Sequence, residues 1–210
     1  MIYRMPGNYH HRDLRAELVR VALELIAESG MSAFSVAEVA RRAKVSTAAP
    51  YRHFPDRTAL LATAVTTAAE RLRGLVESAA AAETDPVEQL AVTVAMHTRF
   101  LIDTRIGTQV IFTADLGDPK YTELHEARRA LIDAVLTRCS AVTADMATAL
   151  ELLEQLNTQA FGYGEFFLNG VYQRTGYPAE QVVAKSRRAA RIVIEAYRRG
   201  DPSTAPAPSW

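Results

Sequence analysis

Cysteine is almost absent from this 210-residue chain. Cys139 stands alone, so no disulfide closes within it, and a reducing, cytoplasmic setting is expected. Long apolar runs are missing too. None nears the ~18 residues of a membrane span, and the N-terminal string MIYRMPGNYHH has no apolar centre of the kind that marks a secretory leader. No membrane partner is expected. Net charge is absent overall, with 24 Lys and Arg against 24 Asp and Glu, which argues against a uniformly basic nucleic-acid binder. Strand-type alternation is scarce. Catalytic signatures fail as well. His125-Glu126 lacks a second histidine at the zinc-protease spacing, and no Cys-x-x-Cys, Walker loop or Gly-x-Ser-x-Gly occurs. His97 and Arg99 near Glu88 could seed acid–base chemistry, but no nucleophile accompanies them. The chain reads as no enzyme, with no cofactor and no metal ligands.

What is present is helical periodicity and enough apolar residues, 49%, to bury a sizeable core. The fold class predicted is all-α. Leu14, Leu18, Val21, Ala22, Leu25 and Ile26 form one stripe of a helix over 14–29, which Gly30 ends. Ser35 with Glu38 is a capping box opening a second short helix. Lys44, Val45 and Ser46 form a turn, and Ser46 or Thr47 caps a third helix to about Phe54. Pro55 and Asp56 introduce a long fourth helix to about Ala82. Asp85-Pro86 starts the next. Further helices are predicted near 86–103, 106–113, 120–140, 143–169 and 179–199. The Pro-rich tail 201–210 is expected to be disordered.

Charge is uneven along this helical chain. Residues 1–60 hold nine Arg and Lys against six Asp and Glu, and the rest hold fifteen against eighteen. A small basic head on a slightly acidic body suits local contact with DNA. Within that head, SVAEVARRAKVSTAAPYRHF at 35–54 has the form of a helix-turn-helix, which lays its second helix in the major groove. Val39, Ala40, Val45, Phe54, Leu60 and part of Tyr51 are expected to pack on the first helix. Thr47 and Ala48 are placed toward bases. Ser35, Tyr51, His53 and Arg57 are placed toward the phosphate backbone, where Arg41, Arg42 and Lys44 neutralise charge. Ser46 lies beside them, and Arg52 suits either a guanine edge or a phosphate. The helix starts at Ser35 and Arg57 would add two phosphate clamps.

Residues 35–60 resemble the tetracycline-repressor (TetR) family of bacterial transcription regulators. Ser35, Val39-Ala40, Ala43, Val45-Ser46, Tyr51, His53-Phe54, Arg57 and Leu60 stand at the spacing of the family pattern. YHHRDLR at 9–15 and AAPYRHF at 48–54 look like strings shared by a subset of it. Three positions depart. Lys44 replaces the turn glycine, Ala48 replaces the glycine of the recognition helix, and Pro50 replaces an aliphatic residue. A start at Thr47 would put Pro50 at the third helical position, where its missing amide costs nothing.

The resemblance implies a DNA-binding domain over 9–58 and a ligand-binding and dimerisation domain over 59–200. It also implies a homodimer on a double-stranded inverted-repeat operator, a repressor released by a small-molecule effector. Val182, Ser186, Ala189, Val193 and Tyr197 on one face, and the all-round apolar 149–168 segment, are compatible with pairing of the last two helices. Met96, His97, Phe100, Phe112, Phe161, Tyr163 and Phe167 are the candidate lining of the effector pocket, with Tyr121 and Arg99 beside them. Gly162 and Gly164 inside one helix leave room either for a ligand or for close helix packing.

Overall fold

The computed structural model describes residues 9–200, and among them no strand is present. The expected disordered tail, 201–210, lies outside the described residues. Eight α-helices follow one another: α1 Tyr9–Ser29, α2 Val36–Arg42, α3 Arg57–Ala81, α4 Pro86–Thr104, α5 Thr108–Ile111, α6 Thr122–Ser140, α7 Met146–Leu168 and α8 Ala179–Arg199.

Local chemistry sets most boundaries. Gly30 closes α1 at φ 75°, and its amide donates to the Ile26 carbonyl at 2.9 Å, the left-handed stop that favours glycine. Asp56 caps α3, its carboxylate accepting the Ala59 amide at 2.7 Å. Asp85 caps α4 by accepting the Val87 amide at 3.2 Å, with Pro86 in the first turn. The capping box on α2 is only half made. Ser35 Oγ accepts the Glu38 amide at 3.5 Å, but the Glu38 carboxylate turns to Arg41 and Arg42 at 2.7 and 2.8 Å. Two cations outcompete one backbone amide for the same carboxylate.

The third helix corrects the sequence reading. No α-helix forms between Thr47 and Phe54. A turn at Thr47–Ala49 leads into a single 3-10 turn, Pro50–Arg52. Thr47 does not cap it. Pro50 has no amide to give the Ser46 carbonyl, so that oxygen takes the Ala49 amide instead, at 2.9 Å. Missing one i−4 bond at the first turn, the segment tightens to i−3 bonding. Only the Phe54 amide reaches back four residues, to the Pro50 carbonyl at 2.9 Å.

One apolar cluster joins head and body through α3. It contains Leu18, Ala22 and Ile26 of α1, Val39 of α2, Phe54 just before α3, Leu60, Val65 and Leu72 along α3, and Phe100, Leu124 and Leu131 beyond. A 25-residue helix is about 37 Å long, so α3 is a strut shared by both ends. A second cluster unites α4, α6, α7 and α8 around Leu90, Val94, Leu152, Leu156 and Ile194. Cys139 lies there fully buried, its thiol pushed up to about 12 by burial. On α8, Val182, Ser186 and Tyr197 are buried inside the chain itself, Ser186 meeting Thr98 of α4 at 2.7 Å. That stripe of α8 is spent internally, against the expectation that it serves a partner. The Arg187 guanidinium bonds Glu83 and Glu88 at 2.8 and 2.7 Å, and Arg191 reaches Glu88 at 3.0 Å, which ties α8 to the start of α4.

The two helical glycines separate here. A Cβ on Gly164 would sit 2.5 Å from Leu101 Cδ2 and 2.8 Å from its Cγ, whereas one on Gly162 would meet nothing within 4 Å. Gly164 is therefore where α4 and α7 touch. Gly164→Ala is expected to destabilise by about 1–2 kcal/mol through overpacking. Gly162→Ala is expected to stabilise by up to ~1 kcal/mol through helix propensity. Urea midpoints of the two variants should move in opposite directions.

Candidate functional site

The short turn after α2 is carried on a rigid base. Val39, Ala40, Ala49, Pro50, Phe54 and Leu60 are buried beneath it. Arg15 stacks its guanidinium over the Phe54 ring at 5.1 Å. Ser46, Thr47, Ala48, Tyr51 and Arg52 face outward. Tyr51 is 54% exposed, so only part of it is covered, and its hydroxyl is available to an outside partner. His53 is half-buried, its amide donating to the Pro50 carbonyl at 3.0 Å.

The basic residues divide into two groups. Lys44 and Arg52 are exposed and enter no ion pair among the described residues. Arg41 and Arg42 both pair with Glu38, and Arg42 also with Glu28 at 2.7 Å. Those guanidinium hydrogen bonds push the Glu38 carboxyl down to about 2. Arg57 is folded back. Its Nε donates to the Phe34 carbonyl at 3.2 Å and its Nη2 to the Met31 carbonyl at 3.0 Å, and its plane lies 5.4 Å from the Phe34 ring centroid. Arg57 thus braces the start of α3 against the α1–α2 connection. Beside it, the Asp56 cap places a carboxylate where a phosphate clamp was expected.

Lys44 carries the turn at φ 56°. A left-handed conformation costs a residue with a Cβ about 1–2 kcal/mol, and glycine escapes that penalty at the expense of chain entropy. Lys44→Gly is expected to raise the melting temperature by about 1–3 °C and to remove one positive charge from the exposed face. Differential scanning calorimetry checks the first effect.

In the body, a cleft of about 240 Å3 opens between α3, α4, α6 and α7 and the segment around α5. Leu72, Val76, Val94, Leu131, Val135 and Leu156 form its walls, with His97, Thr93, Thr108 and Asn157 as polar points. Phe112 and Ile132 line it too, at 39% and 38% exposure. Burial drives His97 down to about 4, so its imidazole is neutral at pH 7. The Nε2 atom is buried without a hydrogen-bond partner.

Of the seven residues expected to line a pocket, only His97 and Phe112 meet in this cleft. Phe100 is core, 3% exposed, and borders a separate polar-rimmed cleft near Arg20, Glu24 and Arg105. Met96, Tyr163 and Phe167 pack with Tyr172 and Tyr177 around Val182, and Tyr163 and Tyr172 stack at 6.1 Å. Phe161 is half-buried and lines neither cleft. Tyr121 sits against the first core cluster, its hydroxyl buried and unbonded. The acid–base trio scatters: Glu88 serves Arg187 and Arg191, while Arg99 pairs with Asp103 and Glu180.

Sequence reasoning missed Arg128. Its guanidinium is buried and donates to the carbonyls of Ile111, Thr113 and Leu116 at 2.6, 3.1 and 3.3 Å. It holds the irregular segment that carries Thr108 and Phe112 into the cleft. The signal was available, because Leu124, Arg128, Leu131 and Val135 share one helix face and a cation interrupts that apolar stripe.

Residues 18–64 match the family model of bacterial regulatory proteins of the tetR family. They span the second half of α1, α2, the exposed turn and the start of α3. Over this stretch the chain is similar to the tetR family. Solved structures agree with that family's fold over nearly the whole length. A protein of unknown function from Rhodococcus sp. RHA1 is 22% identical, with 93% of this chain and 98% of that one covered at a TM-score of 0.70. A TetR-family transcriptional regulator from Streptomyces coelicolor is 16% identical, with 89% and 97% covered and a TM-score of 0.65. The multidrug binding protein EbrR, complexed with imidazole, is 21% identical, with 93% and 96% covered and a TM-score of 0.57. At these identities the likeness is one of fold. No curated protein matches the sequence significantly. No helix among the described residues is long and apolar enough to cross a membrane, and no group of three or more His, Cys, Asp or Glu that could hold a metal ion occurs among them.

Proposed function

We propose that this chain is a tetR-family regulator, a cytoplasmic, ligand-responsive transcriptional repressor that binds an inverted-repeat operator as a homodimer. One observation carries the reading: Thr47, Ala48, Tyr51 and Arg52 project together from a turn whose own underside is buried. Thr47 and Ala48 reach base edges, with the threonine hydroxyl and methyl both suited to the groove. Tyr51, Lys44 and Arg52 bind phosphates and fix register. Ser35 acts mainly as the cap of α2, and Arg57 as the brace of α3, so neither is assigned a strong direct contact. His53, Ser46 and Arg42 flank the contact.

Dimerisation is supported by Met146, Leu150 and Phe166 on α7 and Ile192 on α8, all large, apolar and between 48% and 67% exposed. A two-fold pair of heads reads half-sites about 34–36 Å apart or a multiple of that. Ligand response is supported by the shared strut. Leu72 and Val76 of α3 line the cleft, while the other end of α3 is clasped to the head by Arg57. An effector that wedges the cleft therefore shifts the heads, and the populations of DNA-competent and incompetent states shift with them. EbrR, a multidrug binding protein of similar fold, binds a small molecule, imidazole.

Gel-shift titration of the purified chain on the DNA upstream of its own coding sequence tests this. Tight retention that falls steeply with salt is expected. Tyr51→Ala is expected to weaken binding about tenfold on every operator variant, and Thr47→Ala to change the ranking of variants by a similar factor. No retention at low salt, or equal behaviour of both mutants on all variants, would refute the reading.

A further inference from the structure

The cleft in the body is unusual in what it omits. No Asp, Glu, Lys or Arg lines it. A charged ligand entering it would shed water with no counter-charge to meet, which costs several kcal/mol. One polar atom is nevertheless left wanting: His97 Nε2 is buried and unbonded, and an orphaned buried group of that kind carries a penalty of about 1–3 kcal/mol. The space is small. A cavity of about 150 Å3 holds benzene, and this one, at 240 Å3, holds one ring with a short alkyl arm. Phe112 and Ile132, both partly exposed, line the same cleft and leave an approach from solvent.

We propose that the cleft binds an uncharged, single-ring amphiphile whose hydroxyl hydrogen-bonds His97 Nε2, and that it rejects carboxylates and ammonium ions. A hydroxyl is the fitting group because it both donates and accepts. It satisfies Nε2 whichever imidazole tautomer is present. The apolar body of the ligand lies on Leu72, Val76, Leu131 and Val135, and Asn157 offers a second polar point at the wall. Contact with Leu72 and Val76 puts the ligand directly on the strut α3. The proposal rests on the reading of the body as an effector site, but binding is measurable without DNA.

Isothermal titration calorimetry of the full chain tests it with four probes of one shape: 4-propylphenol, propylbenzene, 4-propylbenzoate and 4-propylbenzylammonium. The phenol should bind about tenfold tighter than propylbenzene, the worth of one net hydrogen bond. Both ions should bind at least about tenfold more weakly than propylbenzene. His97→Leu should lower the phenol to the level of propylbenzene and leave propylbenzene unchanged, while His97→Gln should keep part of the preference. An ionic probe that matches the phenol, no binding by any probe, or a phenol preference that survives His97→Leu overturns the proposal. The wild-type ranking decides the matter even where a variant fails to fold. Gel shifts on the same preparation without probe report separately on DNA binding, so loss of the regulator reading and loss of this one give different patterns.

Discussion

Arg128→Ala should be the most damaging single substitution of a polar residue in the body, at about 3–5 kcal/mol. Arg128 has no carboxylate partner among the described residues. Its charge is met instead by three carbonyl oxygens, from Ile111, Thr113 and Leu116. Desolvation lowers its affinity for a proton, yet guanidinium remains charged because its ordinary value is so high. Removing it leaves those carbonyls without their donor, and the segment between α4 and α6 loses three of the side-chain bonds that tie it to α6. Ile111 and Leu116, fully buried beneath that segment, would then be poorly held. Urea unfolding should show the lost stability, and hydrogen exchange should show faster opening of the Phe112 and Gly117 amides than of α7 amides. Arg128→Lys should recover little, because a point ammonium cannot span three carbonyls arranged for a planar fork. A stability loss under 1 kcal/mol in the alanine variant would mean that water replaces the guanidinium at no cost, and the anchoring role would fall.

Acidification should weaken the fold before its carboxylates titrate. Burial takes His97 from its ordinary 6.5 to about 4 in the folded chain. The folded state therefore binds this proton more weakly than the unfolded state. The contribution is fully present above pH 6.5, falls as pH drops toward 4, and levels off below. Linkage puts the loss at about 2 kcal/mol by pH 5 and about 3 kcal/mol near pH 4. The paired carboxylates act in a lower window. Glu38, held near 2 by Arg41 and Arg42, and Glu88, lowered by Arg187 and Arg191, give up their share only as pH falls below the usual carboxylate value of 4.5. Urea midpoints between pH 7 and 5 should therefore slope with His97, and His97→Leu should flatten that slope. An unchanged slope in the variant would show that the imidazole reaches water.

The parts of the fold written locally were legible in the residues. Ser35, Asp56 and Asp85 announce helix starts because a cap acts within three residues, and Gly30 announces a stop because only its own backbone is at stake. Pro50 is legible as an anomaly, but its effect on the turn is not. Its missing amide is not harmless, because the chain needs it for the first i−4 bond, to the Ser46 carbonyl. Residues whose partners are distant in sequence could not be read. Arg42 meets Glu28 and Arg57 meets the Met31 and Phe34 carbonyls only after α1 and α3 pack. The cleft shows the same limit. Helical spacing marks Met96, Phe100, Phe161, Tyr163 and Phe167 as apolar, but periodicity says nothing about which interhelical gap stays open. His97 was identifiable as polar amid apolar neighbours, and Arg128 carried the same kind of signal unnoticed.

The depth of Cys139 in the α4–α6–α7–α8 core offers an unexpected convenience. A thiol so inaccessible and so reluctant to ionise stays dark to maleimides and nitroxide reagents while the fold holds. A single engineered cysteine at the exposed Ala48 can then be spin-labelled in the otherwise natural sequence, with no background to subtract. Pulsed electron resonance on such a sample would record how far apart the two heads of the proposed dimer stand, with and without an occupant in the cleft.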